Sequence, residues 1–273
     1  MSEIRCEICP HRCLLKEGQT GRCRARRNIG AENTCINYGK LTSLAIDPVE
    51  KKPLYGFFPG SCILSAGSFG CNLACPFCQN HEISMQNENS VPTADVSPQR
   101  LLDICLQHPE SIGVAFTYNE PCISYEYIID TAVLLRKHDL KTVLVTNGCF
   151  EIPVLEKLMP YTDAMNIDLK GGEDFYRELH GDYETVRRAI EYCVPRTHVE
   201  VTTLIIPGRN DTEAFMREQA AWLADLDPEM YLHISRYFPR YRYTLPPTET
   251  ETLKKLKNIA SEYLKHVYLG NVR

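Results

Sequence analysis

The sequence predicts an α/β fold, a partial TIM barrel of the (β/α)6 type that carries a small cysteine-rich N-terminal metal-binding cap. From about residue 61 onward, short β-forming runs alternate with helical patterns. Such alternation is typical of parallel strands joined by right-handed helical crossovers. Before about residue 35, glycine, charge and cysteine dominate and no helical period appears. We therefore expect a cysteine-rich segment, residues 1–35, followed by the barrel, residues 36–273.

Seven β-type runs predict the strands of this barrel. Each is short, apolar or β-branched, and bounded by turn residues. They are Cys62–Phe69, Ser111–Tyr118, Lys141–Gly148, Asp163–Lys170, His198–Ile206, Tyr231–Phe238 and His266–Val272. In β/α barrels the chemistry lies at the C-terminal ends of the strands. The polar residues that end these runs are therefore the candidate functional residues.

Helical patterns lie between the runs. Ser97 and Pro98 predict the N-cap and the first position of one helix, because proline suits the first helical turn. Apolar residues at helical spacing across residues 128–135 predict a second helix. Thr248 and Glu251 predict a capping box at the start of a third helix.

Composition limits the compartment and the partners of the chain. The net charge is −5 and the pI is near 5.9, which gives no sign of a broad nucleic-acid surface. The N-terminus lacks the features of a signal peptide, and no apolar run reaches membrane-spanning length. We expect a cytoplasmic protein, in which 13 cysteines stay reduced and favour metal ligation over disulfides.

A cluster-binding pattern lies just after the first barrel strand. Cys71, Cys75 and Cys78 have the spacing C-x3-C-x2-C. Zinc motifs usually come as paired C-x2-C units, so a zinc site or a disulfide loop fits this spacing less well. A 4Fe–4S cluster takes four thiolates when it is fully ligated. Three thiolates in one loop would leave the fourth iron open to a substrate or cofactor.

Four cysteines near the N-terminus form a second set with the spacing C-x2-C-x3-C-x9-C: Cys6, Cys9, Cys13 and Cys23. Four thiolates can close a zinc site or complete a second iron–sulfur cluster. Zinc is slightly favoured, because so small a segment needs a staple more than a redox centre. Four unligated buried thiols are the least expected outcome, since the segment is too short to bury them. His11 is a further candidate ligand.

The three-cysteine loop, with Phe77 before its last cysteine, resembles the signature of the radical S-adenosylmethionine (radical SAM) superfamily. The resemblance implies that Cys71, Cys75 and Cys78 hold a 4Fe–4S cluster whose open iron binds SAM. It also implies one-electron cleavage of SAM to methionine and a 5′-deoxyadenosyl radical that abstracts hydrogen from a substrate. A low-potential donor, flavodoxin or ferredoxin, is implied as a partner.

The resemblance also assigns residues to SAM. Residues 118–121, Tyr-Asn-Glu-Pro, resemble the Gly-Gly-Glu-Pro element that receives the SAM amino group, with Tyr118 and Asn119 in place of the two glycines and Glu120 kept. Phe77 matches an aromatic position whose backbone meets adenine.

Two further elements resemble those of glycyl-radical-enzyme activases. Asn147 belongs to a Thr-Asn-Gly element, and Asp168 with Lys170 to an Asp-Leu-Lys element. In that family the Asp serves the ribose or an ion and the Lys the SAM carboxylate. A structural ion pair is the other interpretation. His233 is evenly balanced between a SAM-adjacent histidine and a satisfied core histidine, and Thr202 is predicted to be a β-former rather than a ligand.

The order of the motifs along nearly the whole chain is similar to the radical SAM member of the AmmeMemoRadiSam system, related to the pyruvate formate-lyase activating enzymes. Two substrate classes follow from the resemblance. One is a partner protein that receives a glycyl radical, and the other is a small molecule, peptide or RNA. A non-catalytic iron–sulfur electron carrier is a hypothesis of another class, which three rather than four clustered ligands oppose.

Overall fold

The computed structural model describes residues 3–272, so residues 1–2 and 273, the outer ends of the two predicted domains, lie outside it. The strands of this part of the chain are β1 (Glu3–Arg5), β2 (Leu14–Lys16), β3 (Arg26–Ile29), β4 (Glu32–Cys35), β5 (Lys40–Leu41), β6 (Ser43–Pro48), β7 (Cys62–Gly67), β8 (Ala94–Asp95), β9 (Ser111–Phe116), β10 (Lys141–Thr146), β11 (Ala164–Asp168), β12 (His198–Ile205), β13 (Tyr231–Arg236) and β14 (His266–Gly270). The α-helices are α1 (His81–Ser84), α2 (Pro98–Leu106), α3 (Tyr125–Arg136), α4 (Ile152–Leu158), α5 (Glu173–Glu178), α6 (Tyr183–Cys193), α7 (Glu213–Leu226) and α8 (Thr250–Ala260).

One large sheet organises the molecule. Eight strands follow the order β14-β13-β12-β11-β10-β9-β7-β6, and β7 and β9 to β14 run parallel. These seven strands lie within the seven predicted runs. The sequence missed β6, which pairs antiparallel with β7 at one edge. Within residues 3–272 the edge strands β6 and β14 do not pair with each other, so the barrel is partial, and the predicted fold class is confirmed.

The helices cross between the parallel strands, and their ends test the predicted caps. Ser97 caps α2 by accepting a hydrogen bond from the Arg100 N–H at 3.1 Å, and Pro98 occupies the first helical position. The capping box at Thr248 is wrong. Its hydroxyl donates to the carbonyl of Ile205 at 2.5 Å, because a tertiary partner at the end of β12 wins over the local one, and α8 begins at Thr250 without a side-chain cap.

None of the helices in residues 3–272 combines the length and apolarity needed to cross a membrane.

The amino ends of the barrel strands are closed by the segment 49–61. Val49, Leu54 and Phe57 of this segment are buried against inward-facing apolar residues of β7, β9, β10 and β11. This apolar plug fills the part of the barrel interior that lies near the amino ends of the strands. The carboxyl ends of the strands are left to form a site.

The N-terminal segment consists of two hairpins, β1–β2 and β3–β4, laid against the barrel. Arg26 is buried and anchors the second hairpin through a 2.5 Å ion pair with Glu126 of α3. Gly70, in the loop after β7, has φ +88°, and a Cβ there would lie 2.5 Å from the Cys23 carbonyl. Only glycine permits so close an approach. The division of the chain at residue 35 stays a prediction.

A candidate cofactor site at the carboxyl ends of the strands

A cavity of about 270 Å³ opens where the parallel strands end. Ten of the eleven residues predicted for the barrel site line it. They are Cys71, Cys75, Phe77, Cys78, Tyr118, Asn119, Glu120, Asn147, Asp168 and Lys170. The loops after β7, β9, β10 and β11 supply all of them except Asp168, which ends β11 itself. Residues far apart in sequence are thus gathered because the strands are parallel.

Two hydrogen-bond donors of the site point at the sulfur of Cys71. The Leu73 N–H donates to Cys71 Sγ at 3.4 Å, and the Asn147 side-chain amide donates to the same atom at 3.6 Å. Burial raises the pKa of the Cys75 thiol to about 12, although Lys170 opposes the shift. A bound cation reverses this preference, because a coordinating thiol is deprotonated.

Within residues 3–272, no three His, Cys, Asp or Glu side chains converge on a position for a single metal ion, and this holds for both cysteine sets. An iron–sulfur cluster places each thiolate on a different iron, so its ligands stand further apart than those of one ion. Three sulfurs from one tight loop are a donor set that fits such a cluster. All thirteen cysteines of this part of the chain are free.

Glu120 is the most tightly held acid of the cavity. Its carboxylate accepts hydrogen bonds from the Asn147 N–H at 2.7 Å, the Thr146 hydroxyl at 2.8 Å and the Cys122 N–H at 3.0 Å. Burial nevertheless raises the pKa of Glu120 to about 7. The carboxylate is therefore poised to gain from a neighbouring ammonium group.

The Tyr-Asn pair that replaces two glycines has a structural explanation. Tyr118 adopts φ +72°, in the left-handed region that glycine favours. Its hydroxyl donates to Asp47 at 2.7 Å, and the Lys52 ammonium lies 4.8 Å from its ring centre. Asn119 accepts from the Ser68 N–H at 2.9 Å and so ties this turn to the end of β7. Side-chain contacts thus fix a backbone that glycine would have adopted freely.

Asp168 and Lys170 form an ion pair of 2.7 Å on the cavity wall. Burial opposes the charge on Lys170, but Asp168 and Cys75 outweigh it and raise the pKa of the ammonium. The pair is therefore both an internal ion pair and part of the cavity. Phe77 is buried, and its ring stacks on that of Phe175 with 5.8 Å between centres.

His233 is the predicted residue that does not line the cavity. Its side chain faces the barrel interior, nearer the amino end of β13 than Ser235, and its Nε2 lies 2.5 Å from Glu200. Glu200 also contacts His198 at 2.8 Å. This placement matches the satisfied core histidine rather than the SAM-adjacent one. Conversely, twelve residues of the cavity lining were not predicted as site residues. Three of them lie on β12 and β13, where a β-propensity pattern does not reveal which strand residues face inward: Thr202, Leu204 and Ser235.

The N-terminal cysteines lie outside the cavity lining but close to the cluster loop. Cys6, Cys9 and Cys23 are buried, although the segment is short, because barrel loops cover it. The segment thus buries three of its four thiols, against the expectation that it is too short to bury them, while Cys13 is half-buried. Burial raises the pKa of Cys9, with further contributions from neighbouring thiols, those of Cys23 and Cys149 first.

Comparison with known proteins agrees with this geometry. The structure is an open α/β barrel with a three-cysteine loop at the carboxyl ends of its strands. Residues 67–218, more than half of the chain, match the radical SAM superfamily. The chain belongs to that superfamily, whose members are generally enzymes and use a 4Fe–4S cluster and SAM. The narrower resemblance to the AmmeMemoRadiSam system stays a prediction.

Individual relatives carry the comparison further. An uncharacterized protein of Methanocaldococcus jannaschii is 40% identical over 99% of this chain and 82% of its own length. Pyruvate formate-lyase 1-activating enzyme of Escherichia coli is 20% identical over 71% of this chain and 86% of its own length. A radical SAM methyltransferase from Sphaerobacter thermophilus superposes with a TM-score of 0.60 at 17% identity, covering 78% of this chain and 67% of that structure, and so shows the shared fold.

Proposed function

We propose that this chain is a radical SAM enzyme whose chemistry takes place in the cavity at the strand ends. When bound, a 4Fe–4S cluster and SAM would supply the chemistry, namely one-electron cleavage of SAM to methionine and a 5′-deoxyadenosyl radical able to abstract hydrogen from a substrate. One observation carries the proposal, namely that the three-cysteine loop shares one cavity with Glu120, Asp168 and Lys170.

The side chains of the cavity have complementary tasks in this proposal. Cys71, Cys75 and Cys78 hold the cluster. Lys170 pairs with the SAM carboxylate, and Glu120 accepts from the SAM ammonium, both as charge-assisted hydrogen bonds. The apolar plug of residues 49–61 closes the barrel below and limits the entry of water.

The proposal requires a reductant. A low-potential flavodoxin or ferredoxin in a reducing, cytoplasmic compartment fits a chain with thirteen free cysteines. We also propose that neither a membrane nor a nucleic acid is a partner of this chain.

Anaerobic incubation with SAM and dithionite tests the proposal through formation of 5′-deoxyadenosine. The reconstituted wild type should form it, and a variant with Cys71, Cys75 and Cys78 changed to Ala should not. Full turnover by this triple variant, with contaminating enzyme excluded, would refute the assignment. Redox cycling of the wild type without SAM cleavage would support the electron carrier instead.

A glycyl-radical activase is the second candidate. Its support is the similarity to pyruvate formate-lyase activating enzymes of Escherichia coli and Clostridium pasteurianum, at 20% and 24% identity. The test is electron paramagnetic resonance of a candidate glycyl-radical enzyme after incubation with this chain, SAM and reductant. A glycyl doublet supports the activase, whereas SAM cleavage without a protein radical favours another substrate class.

A further inference from the structure

Both donor hydrogens of the Asn147 side chain are already used within the folded chain. Asn147 follows β10, lines the cavity and is only 5% exposed. Its Nδ2 donates to Asn72 Oδ1 at 2.8 Å and to Cys71 Sγ at 3.6 Å. Its Oδ1 accepts from the Cys149 N–H at 2.9 Å. A side-chain amide carries two donor hydrogens, so these two acceptors leave no donor for a ligand in the cavity.

The orientation of this amide is fixed by its surroundings. The Cys149 N–H can only donate, so the oxygen of Asn147 must face it and the nitrogen must face Cys71. Asn72 closes the arrangement, because its Oδ1 accepts from Asn147 while its Nδ2 donates to the Cys149 carbonyl at 2.7 Å. Asn72 is 3% exposed, and a buried, satisfied network of this kind is rigid. The donor that faces Cys71 is therefore held in place by the chain itself.

The other two sulfurs of the cysteine loop have different neighbours. Cys78 Sγ lies 3.1 Å from the Ser84 hydroxyl, and either group can donate. The positive charge that acts on Cys75 is that of Lys170, which the proposed function assigns to the SAM carboxylate. Within residues 3–272, Asn147 is thus the one side chain that donates an N–H hydrogen bond to a sulfur of this loop.

A donor aimed at a cluster-bound thiolate acts on the charge of the cluster. One-electron reduction adds a negative charge, so a hydrogen bond to a ligating sulfur stabilises the reduced state more than the oxidised state. Hydrogen bonds to sulfur are accordingly among the factors that set the potentials of iron–sulfur clusters. Because the amide of Asn147 is neutral, it would raise the potential without placing a charge in the cavity.

We propose that Asn147, held by Asn72, raises the reduction potential of the barrel cluster through its bond to Cys71, and that its side chain is not a ligand of SAM. This inference rests on the proposed function. It departs from the sequence resemblance, which groups Asn147 with elements that serve SAM, because both donor hydrogens are used elsewhere. Asn147 is thus a positioning residue that acts through Cys71 and eases transfer of an electron from the external reductant.

The test is a potentiometric titration of the reconstituted full chain, followed by electron paramagnetic resonance of the signal that the triple cysteine variant lacks. Asn147→Leu keeps the volume of the side chain and removes the donor, so its midpoint potential should be more negative than that of the wild type. Asn147→Ala should shift the potential in the same direction, and it replaces Asn147→Leu if that variant does not fold. Calorimetry on the oxidised, cluster-loaded variants should give a SAM affinity within about twofold of the wild type.

Asn210→Leu is the matched control. Asn210 is 2% exposed, and its amide makes the same number of hydrogen bonds without contacting sulfur. Its partners are the Ile206 N–H and the carbonyls of Leu204 and Lys170. The substitution should lower the unfolding temperature as Asn147→Leu does, because buried partners lose their bonds, and leave the midpoint potential unchanged.

Three results would overturn the inference while the proposed function stands. One is a wild-type midpoint potential in both Asn147 variants. Another is a SAM affinity that falls about tenfold or more in these variants, as expected for a direct ligand. The third is an equal shift of potential in Asn210→Leu, since loss of stability alone would then explain the effect. A wild type that has no reducible barrel cluster or does not bind SAM would overturn both.

Discussion

The chain has two cysteine-rich regions that differ in what surrounds them: the three-cysteine loop, residues 71–78, and the four-cysteine segment, residues 6–23. The loop opens onto a cavity whose walls carry Glu120, Asp168 and Lys170. The segment contributes no residue to that lining, and three of its four cysteines are buried. A site with three ligands and access to ionisable side chains suits catalysis, whereas we propose a structural role for the covered set of four cysteines.

The two regions also touch each other. The His11 ring nitrogen Nε2 lies 2.8 Å from the Asn72 carbonyl, and the Arg24 guanidinium lies 3.4 Å from the Cys71 carbonyl. The segment therefore supports the back of the cluster loop. The loop has independent support from the barrel, because Asn147 bonds to the side chain of Asn72 at 2.8 Å. We infer that the segment stabilises the loop without being needed to form it.

The largest expected effect separates the two regions directly. We propose that this segment binds a metal ion or a second cluster. Changing Cys9 and Cys13 to Ser should then release the bound group and disorder residues 1–35, because metal binding and local folding are coupled. The barrel cluster should stay in place. Metal analysis of the wild type gives the identity: one zinc with about four irons fits zinc and one cluster, and about eight irons without zinc fits two clusters. A wild type that carries only the barrel cluster would contradict this account of the segment.

The next effect tests whether the cavity contacts belong to SAM. Glu120→Ala and Lys170→Ala should each weaken SAM binding about 10- to 100-fold, since a charge-assisted hydrogen bond contributes about 1.5–3 kcal/mol. Iron content should not change. Calorimetry of both variants with the cluster loaded makes the measurement, and wild-type affinity in both would remove these residues from the site.

A smaller effect follows from the raised pKa of Glu120, about 7 in the fold. A raised pKa means that the carboxyl takes up a proton as the pH falls through 7, and a neutral carboxyl no longer attracts an ammonium. SAM affinity should therefore fall about five- to tenfold between about pH 7.5 and pH 6. Glu120→Gln should bind SAM more weakly and lose this dependence. An unchanged acid dependence in Glu120→Gln would assign it to another group.

The sequence predicted the barrel well because strand runs and strand-end motifs are local patterns. All seven parallel strands and ten of the eleven barrel-site residues lie where such patterns place them. The local patterns failed where the partner of a side chain is distant in sequence. Thr248 caps no helix because Ile205 accepts its hydroxyl, and His233 leaves the cavity because Glu200 binds it. Thr202 lines the cavity because of the pleat of β12, which its β-propensity alone does not reveal.

The smallest effect concerns the contact between the two regions. His11→Ala should cost about 1 kcal/mol of the free energy of unfolding, the value of one hydrogen bond, and leave the metal content unchanged. The reason is that Nε2 lies within hydrogen-bond distance of the Asn72 carbonyl. Denaturant unfolding and metal analysis of the variant test this. Loss of one metal equivalent would instead make His11 a ligand.

The central claim is that three thiolates leave one iron of the barrel cluster open to SAM. Electron paramagnetic resonance tests this claim on the dithionite-reduced Cys9→Ser/Cys13→Ser variant, with and without SAM. In this variant we expect the barrel cluster to be the only cluster that contributes to the spectrum. We predict that SAM shifts the g-values of the reduced cluster, because it becomes a ligand of the open iron. A spectrum that saturating SAM leaves unchanged, in a variant with about four irons per chain, would contradict the claim.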